Sequence, residues 1–307
     1  MKIIDSKDII EKHVEYGIGL GNFDGVHRAH EFLITELVND CKKRNIKSMI
    51  YTFRKHPGNI LEGNSIKLIS TLERRIERFR ELGIDCLCLV DFTREFADIT
   101  ARSFVKKILK EKYNTKLVVT GFNYRFGKEG KGNTELLEKM GNELNFDVLI
   151  VPPVMLEDQV ISSTHIREKI KEGEMESARN MMGRNYSIRG IVEYGNKIGT
   201  EIGFPTANIK PLKDFALPKS GVYFTNTIVD GKIYNSITNI GNKPTITDSK
   251  QVVIETHIFN FNNLLYGKNI EVKFISMIRE EKKFSSIKAL KKNIIADIKL
   301  VKKQFVK

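Results

Sequence analysis

The apolar pattern of this 307-residue chain changes period once, near Gly183. Before that point, short apolar runs alternate with helical patterns. Tyr16–Leu20, Ile46–Phe53, Cys86–Val90, Leu117–Thr120 and Val148–Val151 are bounded by polar residues or Gly and read as strands buried on both faces. Between them Ala29–Arg44, Leu72–Leu82, Ala101–Glu111 and Thr134–Leu144 carry helical spacing. Strand–helix alternation predicts an open α/β sheet with ligands at the carboxyl ends of its strands. After Pro152-Pro153, two helical stretches end at Gly183, a predicted C-cap. From Tyr186 the residues alternate polar and apolar instead, over Tyr186–Tyr194, Gly221–Val229, Lys232–Thr238, Val252–Phe259 and Ile270–Ile278. Asp230-Gly231 is a hairpin signal between two of them. Short strands at this spacing predict a small β-barrel. A terminal helix over about Ser286–Phe305 follows, its lysines forming a solvated face. The expected domains are residues 1–183 and 184–307, with no internal repeat or low-complexity segment.

Composition narrows the function classes. At 41% hydrophobic and 29% charged residues, the chain is not largely disordered. No apolar run approaches the ~20 residues of a bilayer span. Met1–Ile10 has no signal-peptide core, so a cytoplasmic protein with no membrane partner is expected. Cys41, Cys86 and Cys88 are too few and too oddly spaced for a disulfide framework. Cys86 and Cys88 fall on one face of a strand and read as buried structural thiols. The net charge of +13 sits almost wholly after residue 180. Such asymmetry points to an anionic partner, nucleic acid or polyphosphate.

Three segments of the first half can carry phosphate chemistry. The first strand runs into Gly21-Asn22-Phe23-Asp24-Gly25-Val26-His27-Arg28-Ala29-His30. Glycines past a strand let backbone approach phosphate, and a helix N-terminus favours anions. His27 and His30, three apart at the helix start, can face one anionic ligand. Gly17-x-Gly19-x-Gly21 is a poor dinucleotide fingerprint because Asn22 follows it, and there is no P-loop. Second, Ser163, Thr164 and Arg167 lie at a predicted helix start and suit a triphosphate. Third, Gly121–Lys128 is a Gly-bounded aromatic and basic loop containing Asn123.

In the second half, Gly203-Phe204-Pro205-Thr206-Ala207-Asn208 places Thr206 and Asn208 on one side of an extended segment, as hard oxygen donors suited to Mg²⁺. The Gly195–Thr200 loop ahead of it, which includes Lys197, can fold over phosphates. Glu255, in a strand rich in β-branched residues, is either an outward solvated residue or a general base.

Together the first three segments resemble the nucleotidylyltransferase superfamily. Gly21–His30 is similar to its His-x-Gly-His signature, and Ile161–Arg167 to its Ile-Ser-Ser-Thr-x-x-Arg signature. With the Asn123–Gly127 loop, the set resembles the adenylylation domain of bacterial bifunctional riboflavin kinase/FAD synthetases. That resemblance implies a Rossmann-like domain that transfers AMP from ATP to FMN, giving FAD and pyrophosphate. His27, His30 and Arg167 would meet the phosphates. Gly21, Asn22, Phe23, Asp24, Gly25, Asn123, Ser163 and Thr164 would line the nucleotide site. Two positions depart from the family pattern: Ala29 stands for its Gly, and His165 for a commoner Arg. An adenylylation domain impaired by Ala29, leaving a kinase only, is the alternative.

The second half resembles riboflavin kinase along nearly its whole length. Pro205–Asn208 matches its Pro-Thr-Ala-Asn motif and Asn239–Thr245 its Asn-Ile-Gly-x-x-Pro-Thr loop. Glu255–His257, Tyr266–Lys268 and Arg279–Phe284 follow in the expected order. The resemblance makes Glu255 the base toward the riboflavin hydroxyl, Thr206 and Asn208 the residues holding Mg²⁺ on ATP, and ADP a product. It assigns Gly195, Lys197, Gly203 and Asn239 to the nucleotide, and Arg279 and Phe284 to flavin. Ile198 and Thr200 stand where basic residues are common. The two-His signature, a second basic domain and Lys283-Phe284-Ser285-Ser286 would also suit an aminoacyl-tRNA synthetase or an RNA-binding module. The barrel strands, however, show no repeated exposed aromatic pair for base stacking, so no nucleic-acid partner is expected. A homo-oligomer stays open.

Overall fold

The computed structural model describes residues 1–11, 13–61, 66–195, 198–243 and 251–304. Lys197 of the expected nucleotide loop and Pro244-Thr245 of the expected Asn-Ile-Gly loop lie outside the described residues. The chain divides into two compact units, Met1–Ile66 with Thr71–Ser163, and Lys67–Ser70 with Thr164–Lys307.

The first unit is a parallel sheet of β1 (Lys2–Asp5), β2 (Tyr16–Leu20), β3 (Lys47–Phe53), β4 (Cys86–Val90), β5 (Thr115–Gly121) and β6 (Asp147–Val151), in the order β1-β4-β3-β2-β5-β6. Its helices are α1 (Arg28–Arg44), α2 (Gly58–Leu61), α3 (Leu72–Glu81), α4 (Arg94–Ala97), α5 (Ala101–Ser103) and α6 (Thr134–Leu144). Strand order reverses between β2 and β5, the place where such sheets open a crevice at their carboxyl ends. Alternate strand residues enter two cores. Met49, Tyr51, Cys86 and Cys88 face one, with Phe104, Leu109 and Met140. Ile50, Leu87 and Leu89 face the other, with Leu37 and Cys41 of α1 and Phe79 of α3. Cys86 and Cys88 are therefore buried on one face as expected, and burial pushes their thiols up to about 11 and about 12. Gly17 and Gly19 let α1 lie close on β2: a Cβ at Gly17 would strike the Cys41 Sγ, and one at Gly19 would sit 2.8 Å from Ile50 Cδ1.

Local signals explain the helix starts. Thr71, Thr93, Thr100 and Asn133 each accept a backbone N–H from three residues on, as N-caps do. One expected helix differs. Ala101–Glu111 begins as α5 and continues as a π-helix over Phe104–Lys112. Phe104, Val105 and Leu109 are buried in that winding, so apolar spacing does not reveal it.

The second unit takes in α7 (Ser163–Glu172) from Thr164 onward and α8 (Met175–Met182), which ends at Gly183 in the left-handed conformation. Met175, Ala178, Met181 and Met182 are buried, and α8 packs on the barrel strand Asn269–Glu280. The barrel comprises β9 (Ser187–Glu193), β10 (Ala207–Pro211), β11 (Gly221–Val229), β12 (Lys232–Lys243), β13 (Gln251–Ile258) and β14 (Asn269–Glu280), closed in the order β10-β13-β12-β11-β14-β9. A short hairpin, β7 (Met155–Leu156) and β8 (Gln159–Val160), precedes it in the chain, and the turn α9 (Ile198–Glu201) lies ahead of β10. Asp230 and Gly231 both have positive φ, 48° and 78°, the two-residue turn the hairpin signal predicts. Inside the barrel, Thr225, Thr227, Ser236, Thr238 and Thr256 are fully buried and join hydroxyl to hydroxyl at 2.8–2.9 Å. Val301 of α10 (Ile287–Gln304) buries with Val222, Phe224 and Ile237, with Ile294 and Ile298 packed alongside. Lys288, Lys291, Lys292, Lys299, Lys302 and Lys303 are exposed, the solvated face expected.

Candidate active sites

In the first unit the expected anion loop leaves the end of β2 and enters α1. His27 caps that helix: its Nδ1 accepts the His30 N–H at 3.4 Å, which leaves Nε2 to carry the proton of a neutral ring. The two imidazoles stack, centroids 3.7 Å apart and 17° from parallel. Asp24 and His27 are buried, and the Asp24 carbonyl accepts the Ser163 hydroxyl at 3.0 Å. The loop therefore brings His27, His30, Asp24 and Ser163 together. Gly25 has φ 82°, a conformation that favours glycine. Gly21 does not need glycine for its φ; a Cβ there would press on the Phe23 ring at 3.1 Å. Asn123 follows Gly121 at the end of β5, the strand next to β2. Tyr124 and Phe126 of the same loop stack at 5.7 Å.

Ala29 lies inside the first turn of α1 and has no positive φ. Its methyl therefore carries no left-handed strain. Thr164 and Arg167 belong to the second unit, where Arg167 Nε donates to the Lys67 carbonyl at 2.7 Å.

In the barrel, strand register assembles the other set. Asn208 of β10 stands directly across from Glu255 of β13, and Glu255 across from Asn239 of β12. Ile254, Thr256 and Ile258 are buried, so Glu255 and His257 share the opposite face of β13. The glycine loop folds onto this group. Asn208's amide lies hard against Gly195, and a Cβ at Gly199 would sit 3.1 Å from Thr206 Oγ1. The Phe204 N–H donates to the Gly199 carbonyl at 2.7 Å. Gly203 has φ 88°, which turns the chain into Phe204.

His257 was read only as part of a motif, yet it bonds the Pro205 carbonyl through Nδ1 at 2.8 Å and meets the Phe204 ring edge-on. Burial lowers its pKa, partly offset by that bond, so the ring is neutral near pH 7 and Nδ1 donates. Glu193 of β9, across from Asn208 on its other side, had no sequence signal beyond alternation. Arg279, expected at flavin, forks onto Asp297 of α10 at 2.9–3.1 Å and lies over the Phe284 ring at 5.6 Å. These two expected flavin residues are thus adjacent, with the guanidinium anchored from behind.

Among the described residues, no group of three His, Cys, Asp or Glu could hold a metal ion. The oxygens of Thr206 and Asn208 fit Mg²⁺ bound chiefly by nucleotide phosphates and water, which takes only one or two protein groups.

Two family models match the chain. FAD synthetase covers residues 9–165 and riboflavin kinase covers 182–305. A protein of Buchnera aphidicola named bifunctional riboflavin kinase/FMN adenylyltransferase is 39% identical over 292 residues, 94% of this chain and 93% of that one. The Bacillus subtilis protein of the same name is 34% identical over 94% of this chain and 92% of its own. The chain belongs to the bifunctional riboflavin kinase/FMN adenylyltransferase family. A solved structure from Streptococcus pneumoniae, titled a macrolide-efflux protein, superposes with a TM-score of 0.90 at 31% identity, covering 98% of this chain and 99% of that one. Among the described residues of this riboflavin kinase/FMN adenylyltransferase relative, no helix is long and apolar enough to cross a membrane. Both halves characteristic of the family are present, and nothing favours a kinase-only chain.

Proposed function

We propose that the barrel phosphorylates riboflavin to FMN with ATP, and that the sheet unit adenylylates FMN to FAD with a second ATP, releasing pyrophosphate. The observation that carries this reading is the juxtaposition of Asn208, Glu255 and Asn239 on three adjacent strands. It places a carboxylate beside a hard-oxygen donor under a glycine loop.

At the barrel, the Glu255 carboxylate accepts the proton of the ribityl 5′-hydroxyl as that oxygen attacks the γ-phosphorus and ADP departs. Asn239 and Asn208 flank Glu255 and limit its swing. Thr206 and Asn208 would hold the Mg²⁺ of the nucleotide, an ion that would supply charge neutralisation on the phosphates. His257 fixes the Pro205 carbonyl, and with it the segment bearing Thr206 and Asn208. Gly195, Lys197 and Gly203 serve the nucleotide, and Arg279 with Phe284 the flavin.

At the sheet, an FMN phosphate oxygen already carries the charge needed to attack the α-phosphorus, and the bond to the β-phosphate oxygen breaks. Little proton transfer is required, so catalysis is positioning and charge neutralisation. The Gly21–His27 loop and the α1 N-terminus hold phosphate with backbone N–H groups. His27 and His30 donate to the triphosphate. Asn123, Ser163 and Thr164 complete the nucleotide contacts, and the signature's Arg167 serves the leaving phosphates.

The domains are taken as 1–183 and 184–307; the riboflavin kinase family model begins at 182, next to that boundary, while the compact unit of the barrel already takes in Thr164–Gly183. Free, buried Cys41, Cys86 and Cys88 suit a reducing compartment, the cytoplasm. The chain, incubated with riboflavin, ATP and Mg²⁺, should yield FMN first and FAD after it, separable by chromatography. Absence of both would refute the reading.

A further inference from the structure

We propose that Arg75 is a positioning residue for FMN adenylylation, clamping the Gly21–His27 loop in the strained form that presents its backbone to phosphate. The inference rests on the adenylylation reading above.

Arg75 lies in the first turn of α3 and is 7% exposed. Its guanidinium reaches three backbone carbonyls at the ends of two adjacent strands. Nη1 donates to Asn22 at 3.0 Å, and Nη2 to Phe53 and Arg54 at 3.2 Å each. Burial lowers its pKa while the Asp24 charge works against that shift. Burying a cation is costly, and spending its hydrogen bonds on strand ends rather than on a carboxylate needs a reason.

The loop supplies one. Phe23 and Val26 are fully buried, yet have φ of 51° and 38°. A β-branched residue in that region is an outlier and persists only where its surroundings hold it. Helix α3 holds this loop twice. Arg75 grips the carbonyl of Asn22, the residue just ahead of Phe23, together with the buried Thr52 hydroxyl at 3.2 Å. One helical turn on, the Phe79 ring meets the Phe23 ring edge-on at 5.7 Å, and Phe23 in turn rests against His30 at 5.0 Å. Without the guanidinium, the Asn22 carbonyl keeps only the Thr52 hydroxyl, and the Asn22–Phe23 peptide turns more readily, letting Phe23 leave its strained conformation and misdirecting the N–H groups that follow. Lys has no planar fork and cannot span three carbonyls.

If the clamp sets the fraction of molecules whose loop is ready for ATP, losing it raises KM for ATP and leaves turnover of the bound complex nearly intact. Release of one left-handed residue corresponds to a rise of about 5–30-fold. The test measures FAD formation from FMN in the full chain at varied ATP, for wild type, Arg75→Met and Arg75→Lys. The Met variant should show that rise and the Lys variant a smaller one of about 2–5-fold, with kcat little changed and riboflavin phosphorylation unaffected. A purely structural role removes active molecules, which lowers apparent kcat and leaves KM in place. An unchanged KM for ATP in both variants overturns the proposal, and if Arg75→Met does not fold, Arg75→Lys alone decides. A wild type that makes no FAD from FMN defeats the adenylylation reading itself, before any variant is needed, and this proposal with it.

Discussion

Glu255 and Asn208 are direct cross-strand partners in the β10–β13 ladder, although 46 positions separate them in the chain. Cross-strand partners in an antiparallel pair have Cβ atoms about 4.5–5.5 Å apart. A carboxylate and a hard-oxygen donor held that close can serve one phosphoryl transfer, the oxygen donor toward the metal and the carboxylate toward the attacking hydroxyl.

Asn208→Ala and Thr206→Ala are expected to weaken Mg²⁺-dependent FMN formation, since both remove a hard ligand. A titration of Mg²⁺ against the kinase rate should shift to higher concentration, while FAD formation from supplied FMN stays unchanged. An unshifted titration in both variants assigns the pair a purely structural role.

Gly195→Ala should damage the kinase without touching a reacting group. A Cβ at this position has no room beside the Asn208 amide. Either the glycine loop lifts or Asn208 rotates, and both disturb nucleotide binding. FMN formation should fall by more than about tenfold, a loss of roughly 1.4 kcal/mol of transition-state stabilisation. Wild-type kinetics for this variant would show that the loop does not bear on the site.

Ala29→Gly should bring no gain in FAD synthesis. Ala29 sits in a helical turn with no positive φ, so glycine relieves no strain there. Instead it costs about 0.5–1 kcal/mol of helix stability. Thermal unfolding should show a lower midpoint, with the adenylylation rate equal to wild type or below it. A several-fold faster variant would mean that the methyl obstructs the nucleotide.

A fragment starting at Thr164 should be a better kinase than one starting at Arg184. Helix α8 packs on β14 and buries Met175, Met181 and Met182. Each buried methionine is worth about 1.5–3 kcal/mol, a large share of a small domain's stability. Denaturant unfolding of the two fragments should place the shorter one's midpoint well below the longer one's. Equal midpoints would make α8 dispensable to the barrel.

Much of this was legible in the residues. Doubly buried strands such as Cys86–Val90 announce themselves as apolar runs, and Asp230-Gly231 dictated its turn. Edge strand β1 did not, because Lys2 and Asp5 hide Ile3 and Ile4. Strand β10 interleaves Asn208 and Lys210 with Ala207 and Ile209 and ends in Pro211, so no continuous apolar run marks it. The spacing of Thr206 and Asn208 was visible, but the meeting of Asn208 with Glu255, and of Glu255 with Asn239, depends on register over long loops, which no local pattern carries. Arg75 is one of four arginines in Leu72–Glu81, and only its depth sets it apart.

The central claim is that two chemistries run on two separate sets of residues in one chain. Its most direct test follows FMN and FAD together in Glu255→Gln and His30→Ala, each given riboflavin, ATP and Mg²⁺ and, separately, FMN, ATP and Mg²⁺. Loss of a positioned base costs on the order of 10²–10⁴-fold, so Glu255→Gln should make almost no FMN from riboflavin yet convert supplied FMN to FAD at the wild-type rate. His30→Ala should do the reverse, accumulating FMN with little FAD. Failure of Glu255→Gln to make FAD from supplied FMN, failure of His30→Ala to make FMN from riboflavin, or wild-type rates of both steps in both variants would contradict the account.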